Sequence, residues 1–204
     1  MRPIVRTPYT GPPRQTYKDY LSDLGNSFGR YCSYCERPDK LDVEHVIPKS
    51  KDQSLELVWS NLLLGCPRCN RDFKRSKNDK REGYFWPDTH NTFGAITYLE
   101  NGKVVPSRSI TNEDESLAVQ RLIDLVCLDD GKQKNIVLNT LRRTKFKIAN
   151  REKDKYIKGY TTLEDIELYA IEGFWSIWFS VFKEIPEVRQ ALLTHRNYPN
   201  TLGL

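Results

Sequence analysis

Two Cys-x-x-Cys pairs constrain the fold of this chain more than any other feature: Cys32 with Cys35, and Cys66 with Cys69. Each pair can supply two ligands from one tight turn, and four thiolates match the tetrahedral coordination of Zn²⁺. In a chain without an evident export signal, two such pairs predict a metal site rather than disulfides. Because sulfur fills all four positions, we expect this zinc ion to hold the fold and to perform no catalysis. Cys127 stands alone in an apolar segment and is interpreted as a small buried side chain.

The composition is that of an ordinary globular protein. The chain has 204 residues, 38% of them hydrophobic and 29% charged, which is enough for a stable core in one large or two small domains. Its apolar runs are shorter than the roughly 20 residues that a membrane-spanning helix needs. The first residues lack the apolar core of a signal peptide. We therefore expect a cytoplasmic protein that is neither secreted nor embedded in a membrane.

Positive charge is concentrated in one segment. The net charge is only +5, but seven basic residues lie between residues 68 and 81, opposed by Asp72 and Asp79. A run of this kind is most often a solvated surface. Beside a metal site it is also what the binding of a phosphate backbone requires. On the second interpretation, the predicted nucleic-acid-binding residues are Arg68, Arg71, Lys74, Arg75 and Lys77.

The polar and apolar pattern divides the chain into three regions. Residues 1–28 are predicted to form an extended arm and a short helix that stops at Gly25. Residues 29–106 hold both cysteine pairs and, around Asn101-Gly102, a predicted hairpin with a type I′ turn. Residues 107–204 are predicted to be helical.

Within the helical region, three main helices are predicted at about 112–129, 134–150 and 161–185, followed by a last amphipathic turn or two. Thr161 and Glu164 have the spacing of a capping box at the start of the third helix. That helix contains an aromatic stretch with Trp175 and Trp178. The stretch fits either a buried core or a face that docks a partner.

The thirty residues between the cysteine pairs carry the other polar signals. Alternation of Leu41, Val43 and Val46 with polar residues predicts a short strand pair bearing Glu44 and His45. Adjacent strand residues point to opposite faces. These two side chains can therefore share a site only if the strand end bends, or if they approach one small ligand from two sides.

A family resemblance rests on three short motifs. Glu44-His45-x-x-Pro48, then Asn61-Leu62, then Cys66-x-x-Cys69-Asn70 resemble the HNH nuclease family in its zinc-stabilised form. The resemblance covers residues 30–80. It implies an α+β fold in which the four-cysteine zinc site stabilises a small ββα-metal core, with an added β-hairpin and an α-helical C-terminal region. Through the looser match of residues 86–93 and the following hairpin, the chain is similar to the HNH component of bacterial anti-phage systems of the Septu type, where such a protein works beside an ATPase.

The resemblance also implies a role for each matching residue. His45 matches the general base that takes a proton from the attacking water. Glu44 and Asn70 match the ligands of a catalytic cation, and their oxygen atoms suit Mg²⁺ or Mn²⁺. Asn61 matches the residue that ties the hairpin loop and orients the base, although it could equally be a turn residue. Lys74 follows Asn70 by four residues where many members have a lysine after three, which leaves the helix register open.

Two further polar residues, Asp88 and His90, lie in the loop after the basic segment. They could return to the site as an extra ligand or a substrate contact. The alternative is that the loop is tied by Asx-type hydrogen bonds.

These observations predict a metal-dependent HNH endonuclease that hydrolyses phosphodiester bonds. The family implies DNA more often than RNA, 5′-phosphate and 3′-hydroxyl products, and the role of nuclease effector in a bacterial anti-phage system with a partner ATPase. The alternative is a non-catalytic zinc module that binds nucleic acid or protein; it would need the cysteines and the basic run but neither Glu44 nor His45. A redox protein is disfavoured because no βαβ pattern surrounds the cysteines.

Overall fold

The computed structural model describes residues 1–131, 133 and 137–203. It is an α+β fold with two small hairpins and a helical C-terminal region, as the sequence predicts. The predicted start of the second C-terminal helix, Lys134, and the last residue, Leu204, lie outside the described residues. No helix in the described ranges is both long and apolar enough to cross a membrane.

The central hairpin lies between the two cysteine pairs. Its strands, β1 (Asp42–His45) and β2 (Leu62–Gly65), are antiparallel, with His45 opposite Leu62. Leu62, Leu63 and Leu64 are all buried, so β2 packs against the protein on both faces. A wide-turned π-helical segment, Arg68–Lys74, follows directly. Two strands and a helical segment therefore form the small core that the motifs predict.

The second hairpin joins β3 (Ile96–Tyr98) to β4 (Val104–Pro106). Of Asn101 and Gly102, only Gly102 has a positive φ, at +88°. A type I′ turn needs positive φ at both positions, so the predicted turn type is wrong although the hairpin is present. The Asn139 carbonyl approaches so closely that a Cβ on Gly102 would lie 1.9 Å from its oxygen.

The N-terminal arm is extended but packs into the core. Met1 to Ile4 are buried, and the Ile4 amide donates to the Pro87 carbonyl at 2.8 Å. A 3₁₀ turn, Tyr17–Tyr20, leads into α1 (Leu21–Phe28). The helix continues past Gly25 and ends at Gly29, whose φ of +84° suits a helix terminus, so the predicted stop is wrong by one turn.

In the part of the chain that the structure describes, five further helices follow the short α2 (Thr92–Ala95). They are α3 (Glu113–Leu125), α4 (Leu138–Ile157), α5 (Leu163–Ala170), α6 (Trp175–Val181) and α7 (Pro186–Thr194). α3 starts close to the predicted position, and Asn112 caps it: its side chain accepts from the Glu115 amide at 3.1 Å.

The predicted third helix is divided in two, and its capping box lies one residue later than predicted, at Thr162 and Asp165. The break falls at Gly173 and Phe174, whose φ values are +100° and +61°. Glu36, which directly follows a cysteine pair, holds the new helix start. Its backbone carbonyl accepts from the Phe174 amide (3.0 Å), and its carboxylate accepts from the amide (3.0 Å) and hydroxyl (2.6 Å) of Ser176.

The aromatic stretch belongs to the core. Trp175, Trp178 and Phe182 are fully buried, which confirms the core interpretation over the docking face. One hydrophobic cluster draws residues from all three predicted regions, including Phe28, Leu64 and Trp178. The helical region therefore packs as part of the same core that carries the cysteine pairs.

Candidate active site and four-cysteine centre

The four paired cysteines meet in one buried cluster. Their sulfur atoms all lie within 4.8 Å of one another, and the Cys35 and Cys66 sulfurs are 3.7 Å apart. Zn–S bonds of about 2.3 Å in a tetrahedron place sulfurs roughly 3.8 Å apart. The cluster that the sequence predicts is present, and its donors and spacing suit a closed structural zinc site.

The second cysteine pair also fixes where the helical segment starts. The Asn70 amide donates to the Cys66 carbonyl at 3.0 Å, and the Arg75 amide donates to the Asn70 carbonyl at 2.8 Å. The second bond spans five residues, the wide turn that defines a π-helix, a feature frequent at functional sites. Asn70 is thereby anchored directly to the four-cysteine centre.

Glu44, His45 and Asn70 line one surface cavity of about 430 Å³. His45 is the last residue of β1, and its strand neighbour Glu44 lines the same cavity. The other lining residues are Tyr17, Val43, Pro48, Lys49, Ser50, Arg71, Arg75 and Ser76.

Gly65 permits the close approach of two of these residues. A Cβ at Gly65 would lie 3.0 Å from the Cβ of Asn70 and 3.1 Å from the Cβ of Glu44. Its φ is not in the left-handed region, so the glycine is favoured here by the close packing of its neighbours and not by backbone conformation. Gly65 is not among the residues predicted from the motifs, and its place directly before Cys66 was the available signal.

The Glu44 carboxylate is buried with a counterion. Lys74 Nζ lies 2.7 Å from Oε1, and both side chains are almost fully buried, at 1% and 2% exposed. The Tyr34 hydroxyl donates to the same oxygen at 3.3 Å. Burial raises the pKa of Glu44, and the Lys74 ammonium opposes that rise. No described residue hydrogen-bonds to the second oxygen, Oε2, which is left available to a ligand.

Lys74 is therefore a correction to the predicted nucleic-acid-binding surface. Its ammonium also donates to the backbone carbonyl of His45 at 2.7 Å. Lys74 therefore contacts the Glu44 carboxylate and the His45 backbone instead of facing solvent. The four-residue spacing from Asn70, which left the register open, falls within the π-helical segment.

The His45 ring is held through one nitrogen. Nε2–H donates to the backbone carbonyl of Glu56 at 3.0 Å, and a carbonyl can only accept, so Nε2 carries the proton and Nδ1 carries a lone pair. No described residue hydrogen-bonds to Nδ1. Burial lowers the pKa of His45, which keeps the imidazole neutral at physiological pH. A neutral ring with a free basic nitrogen can accept a proton from water.

Asn61 ties the loop that follows His45. Its Oδ1 accepts from the Ile47 amide at 2.8 Å, and its Nδ2 donates to the carbonyls of Ile47 (2.9 Å) and Leu55 (3.2 Å). Asn78, which the sequence analysis did not single out, donates to the Val46 carbonyl at 2.7 Å. Both amides hold the backbone next to the candidate base.

The remaining predicted nucleic-acid-binding residues separate into two groups. Arg71 and Arg75 are exposed at the cavity, and Lys77 is exposed beyond it. Arg68 is a second correction: its guanidinium donates to the Cys127 carbonyl at 2.7 Å and pairs with Asp130 at 3.4 Å. It joins the helical segment to the end of α3 and is not available to a phosphate.

Asp88 and His90 do not join the cavity. The Asp88 carboxylate is clamped by Arg6 (2.9 Å) and Arg81 (2.7 Å). The His90 Nδ1 accepts from the Trp86 amide at 3.1 Å, and its ring stacks on Phe85 with centroids 4.2 Å apart. His90 is thus held by residues of its own loop, whereas Asp88 is held by Arg6 of the N-terminal arm and by Arg81 rather than by hydrogen bonds to its own backbone.

The donors at the cavity fit a hard divalent cation. Glu44 Oε2 and the Asn70 side-chain amide have no hydrogen-bond partner among the described residues, and they flank Gly65. Carboxylate and amide oxygens are the protein ligands that such cations prefer, and Mg²⁺ commonly takes only one or two carboxylates beside water and substrate phosphate. Their chemistry therefore suits such a cation, with water and substrate phosphate supplying the other ligands.

Parts of the chain are similar to known proteins. Residues 32–75 match the family model described as HNH endonuclease. The chain is also similar to a protein of Vibrio cholerae serotype O1 biovar El Tor that carries the name of a retron Vc95 HNH endonuclease, with 27% identity over 108 residues. That alignment covers 50% of this chain and 53% of the relative, so the chain spans about half the length of the curated relative it matches.

Proposed function

We propose, from the match of residues 32–75 to the HNH endonuclease family, that this protein is a metal-dependent nuclease that hydrolyses phosphodiester bonds of nucleic acid. The observation that carries the proposal is the single cavity onto which Glu44, His45 and Asn70 converge inside that segment. In this proposal the four cysteines hold a structural zinc ion and take no part in the reaction.

Each residue has a separate task in the proposed reaction. His45 accepts a proton from the attacking water at Nδ1, while Glu56 holds Nε2. Glu44 and Asn70 hold Mg²⁺ or Mn²⁺, and Asn61 keeps the loop after the base in place. Bound there, the cation supplies charge stabilisation on the phosphate and on the leaving 3′ oxygen. Arg71, Arg75 and Lys77 contact the phosphate backbone, and the products carry 5′-phosphate and 3′-hydroxyl ends.

Cleavage should require an added divalent cation although the zinc remains bound. Protein dialysed against a mild chelator is expected to leave supercoiled plasmid intact and to nick it when Mg²⁺ or Mn²⁺ is restored, because two oxygen ligands hold a cation weakly. Structured RNA in a parallel reaction decides whether DNA is the preferred substrate. Zinc content measured before and after dialysis separates the two metals. Full cleavage with zinc alone would contradict the assignment of Glu44 and Asn70.

We further propose that the nuclease is the effector of a bacterial anti-phage system and works with a partner ATPase, as in systems of the Septu type. The support is the sequence similarity of the motifs through residues 86–93 and the similarity to a relative named for a retron. Pull-down of the tagged chain from its native host, followed by mass spectrometry and an ATPase assay, is expected to recover such a partner. Recovery of the chain alone, with full and unregulated cleavage, would contradict this part of the proposal.

A further inference from the structure

Tyr17 lies outside the segment that matches the family model, yet its ring packs against the candidate base. The Tyr17 and His45 ring centroids are 4.8 Å apart and the ring planes cross at 63°. Aromatic rings prefer this edge-to-face arrangement. Tyr17 opens the 3₁₀ turn before α1 and is half-buried in the cavity wall.

Lys49 and Glu56 connect the Tyr17 ring to the other side of the same imidazole through a series of contacts. Lys49 Nζ lies 4.6 Å from the Tyr17 ring centroid and 2.9 Å from a carboxylate oxygen of Glu56. The Glu56 carbonyl accepts from His45 Nε2. Cation–π and exposed ion-pair contacts are weak individually, but here each one fixes the neighbour that restrains the imidazole.

We infer that Tyr17 is a positioning residue that restrains rotation of the His45 ring. If the hydrogen bond at Nε2 were the sole restraint, the imidazole could rotate about its Cβ–Cγ bond whenever that hydrogen bond broke. The Tyr17 ring packs against one side of the imidazole, and the Glu56 carbonyl holds Nε2. Together these two contacts keep the orientation of Nδ1. The restraint itself is a property of the fold, and only its consequence for cleavage rests on the proposed function.

The restraint is tested first without substrate, by long-range ¹H–¹⁵N spectra of the imidazoles at pH 8. The chain has three histidines, so the ring signals are few enough to assign. Wild type and Tyr17→Phe are expected to give one narrow set of His45 signals with Nε2 protonated. Tyr17→Ala should give broadened signals with a detectable Nδ1-protonated form, and unchanged His90 and His195 signals will show that it is folded. Tyr160→Ala, at a residue 79% exposed, is the matched control and should match wild type.

Cleavage kinetics give the second readout. Because a misplaced catalytic group can cost about 100-fold in rate, kcat of Tyr17→Ala is expected to fall roughly 10- to 100-fold, with a smaller change in KM, and Tyr17→Phe should restore most of it. His45 signals in Tyr17→Ala identical to those of wild type would overturn the inference, as would an equal loss of kcat in the Phe and Ala variants. If wild type itself cleaves no nucleic acid, the proposed function fails while the spectra still decide the restraint.

Discussion

Replacement of Cys66 by serine is expected to release zinc and to unfold the protein. Zinc binding to structural sites is worth about 10–16 kcal/mol in small peptides, and a typical domain is stable by only about 5–15 kcal/mol. The cluster holds β2 to the Arg68–Lys74 segment, and Glu36 beside it holds the start of α6. The unfolding caused by loss of one thiolate should therefore extend from the candidate site to the helical region.

Zinc content and thermal unfolding followed by circular dichroism measure this effect. Wild type is expected to carry one zinc per chain and to melt in one cooperative transition, whereas Cys66→Ser should lack zinc and the transition. Cys127→Ser is the matched control, since Cys127 is buried but stands outside the cluster. It should keep the zinc and melt cooperatively. A Cys66→Ser protein with the wild-type melting temperature would show that the cluster does not hold the fold.

Replacement of His45 by alanine is expected to abolish cleavage and to spare the fold. General-base groups typically contribute about 10²- to 10⁴-fold in rate, so the cleavage rate should fall by that factor. The ring makes one hydrogen bond, to the Glu56 carbonyl, and the backbone around it is held independently by Lys74, Asn61 and Asn78. The change should therefore remove the base and leave the hairpin in place.

Nicking of supercoiled plasmid under single-turnover conditions measures the rate, and zinc content and melting temperature verify the fold. His195→Ala serves as the control, because that imidazole accepts a hydrogen bond from the Asn197 amide at 3.1 Å and does not line the cavity. It should cleave like wild type. Equal cleavage by His45→Ala and wild type would refute the assigned base and favour the non-catalytic zinc module.

The elements that sequence predicts well here are those made by residues close together in the chain. Each cysteine pair occupies one turn, so spacing alone identifies it, and the short motif that contains Glu44 and His45 is recognised through its resemblance to the HNH family. Asn112 at the start of α3 is another local signal, a side chain that caps its own helix. The α+β fold and the four-cysteine cluster, both confirmed by the structure, were accessible for this reason.

The charge run shows where local reasoning fails. Sequence treats Arg68, Lys74 and Arg75 alike, but their partners are set by distant parts of the chain. Lys74 meets a carboxylate thirty residues earlier, and Arg68 meets carbonyls at the end of α3. Only Arg75, which faces the cavity, remains exposed as predicted. Which cation faces solvent is decided by which one finds a buried acceptor.

The aromatic helix shows the same limit for backbone structure. Periodicity predicts one helix through residue 185, because apolar residues recur at helical spacing across the break. The structure divides it at Gly173, where a Cβ would lie 2.7 Å from the Glu36 carbonyl oxygen. The helix stops there because another part of the chain supplies the hydrogen bonds that a new helix start needs.

Sequence by itself determined the four-cysteine centre, because its signal lies in spacings of a few residues, and the resemblance of short motifs to the HNH family implied the α+β fold and the candidates Glu44, His45 and Asn70. Tertiary structure alone decided that these three side chains share one cavity, that Lys74 is buried against Glu44, and that Tyr17 packs on the imidazole. The physical reason is that the desolvation of a charge and the contact of two rings depend on residues that are distant in the chain and adjacent only after folding.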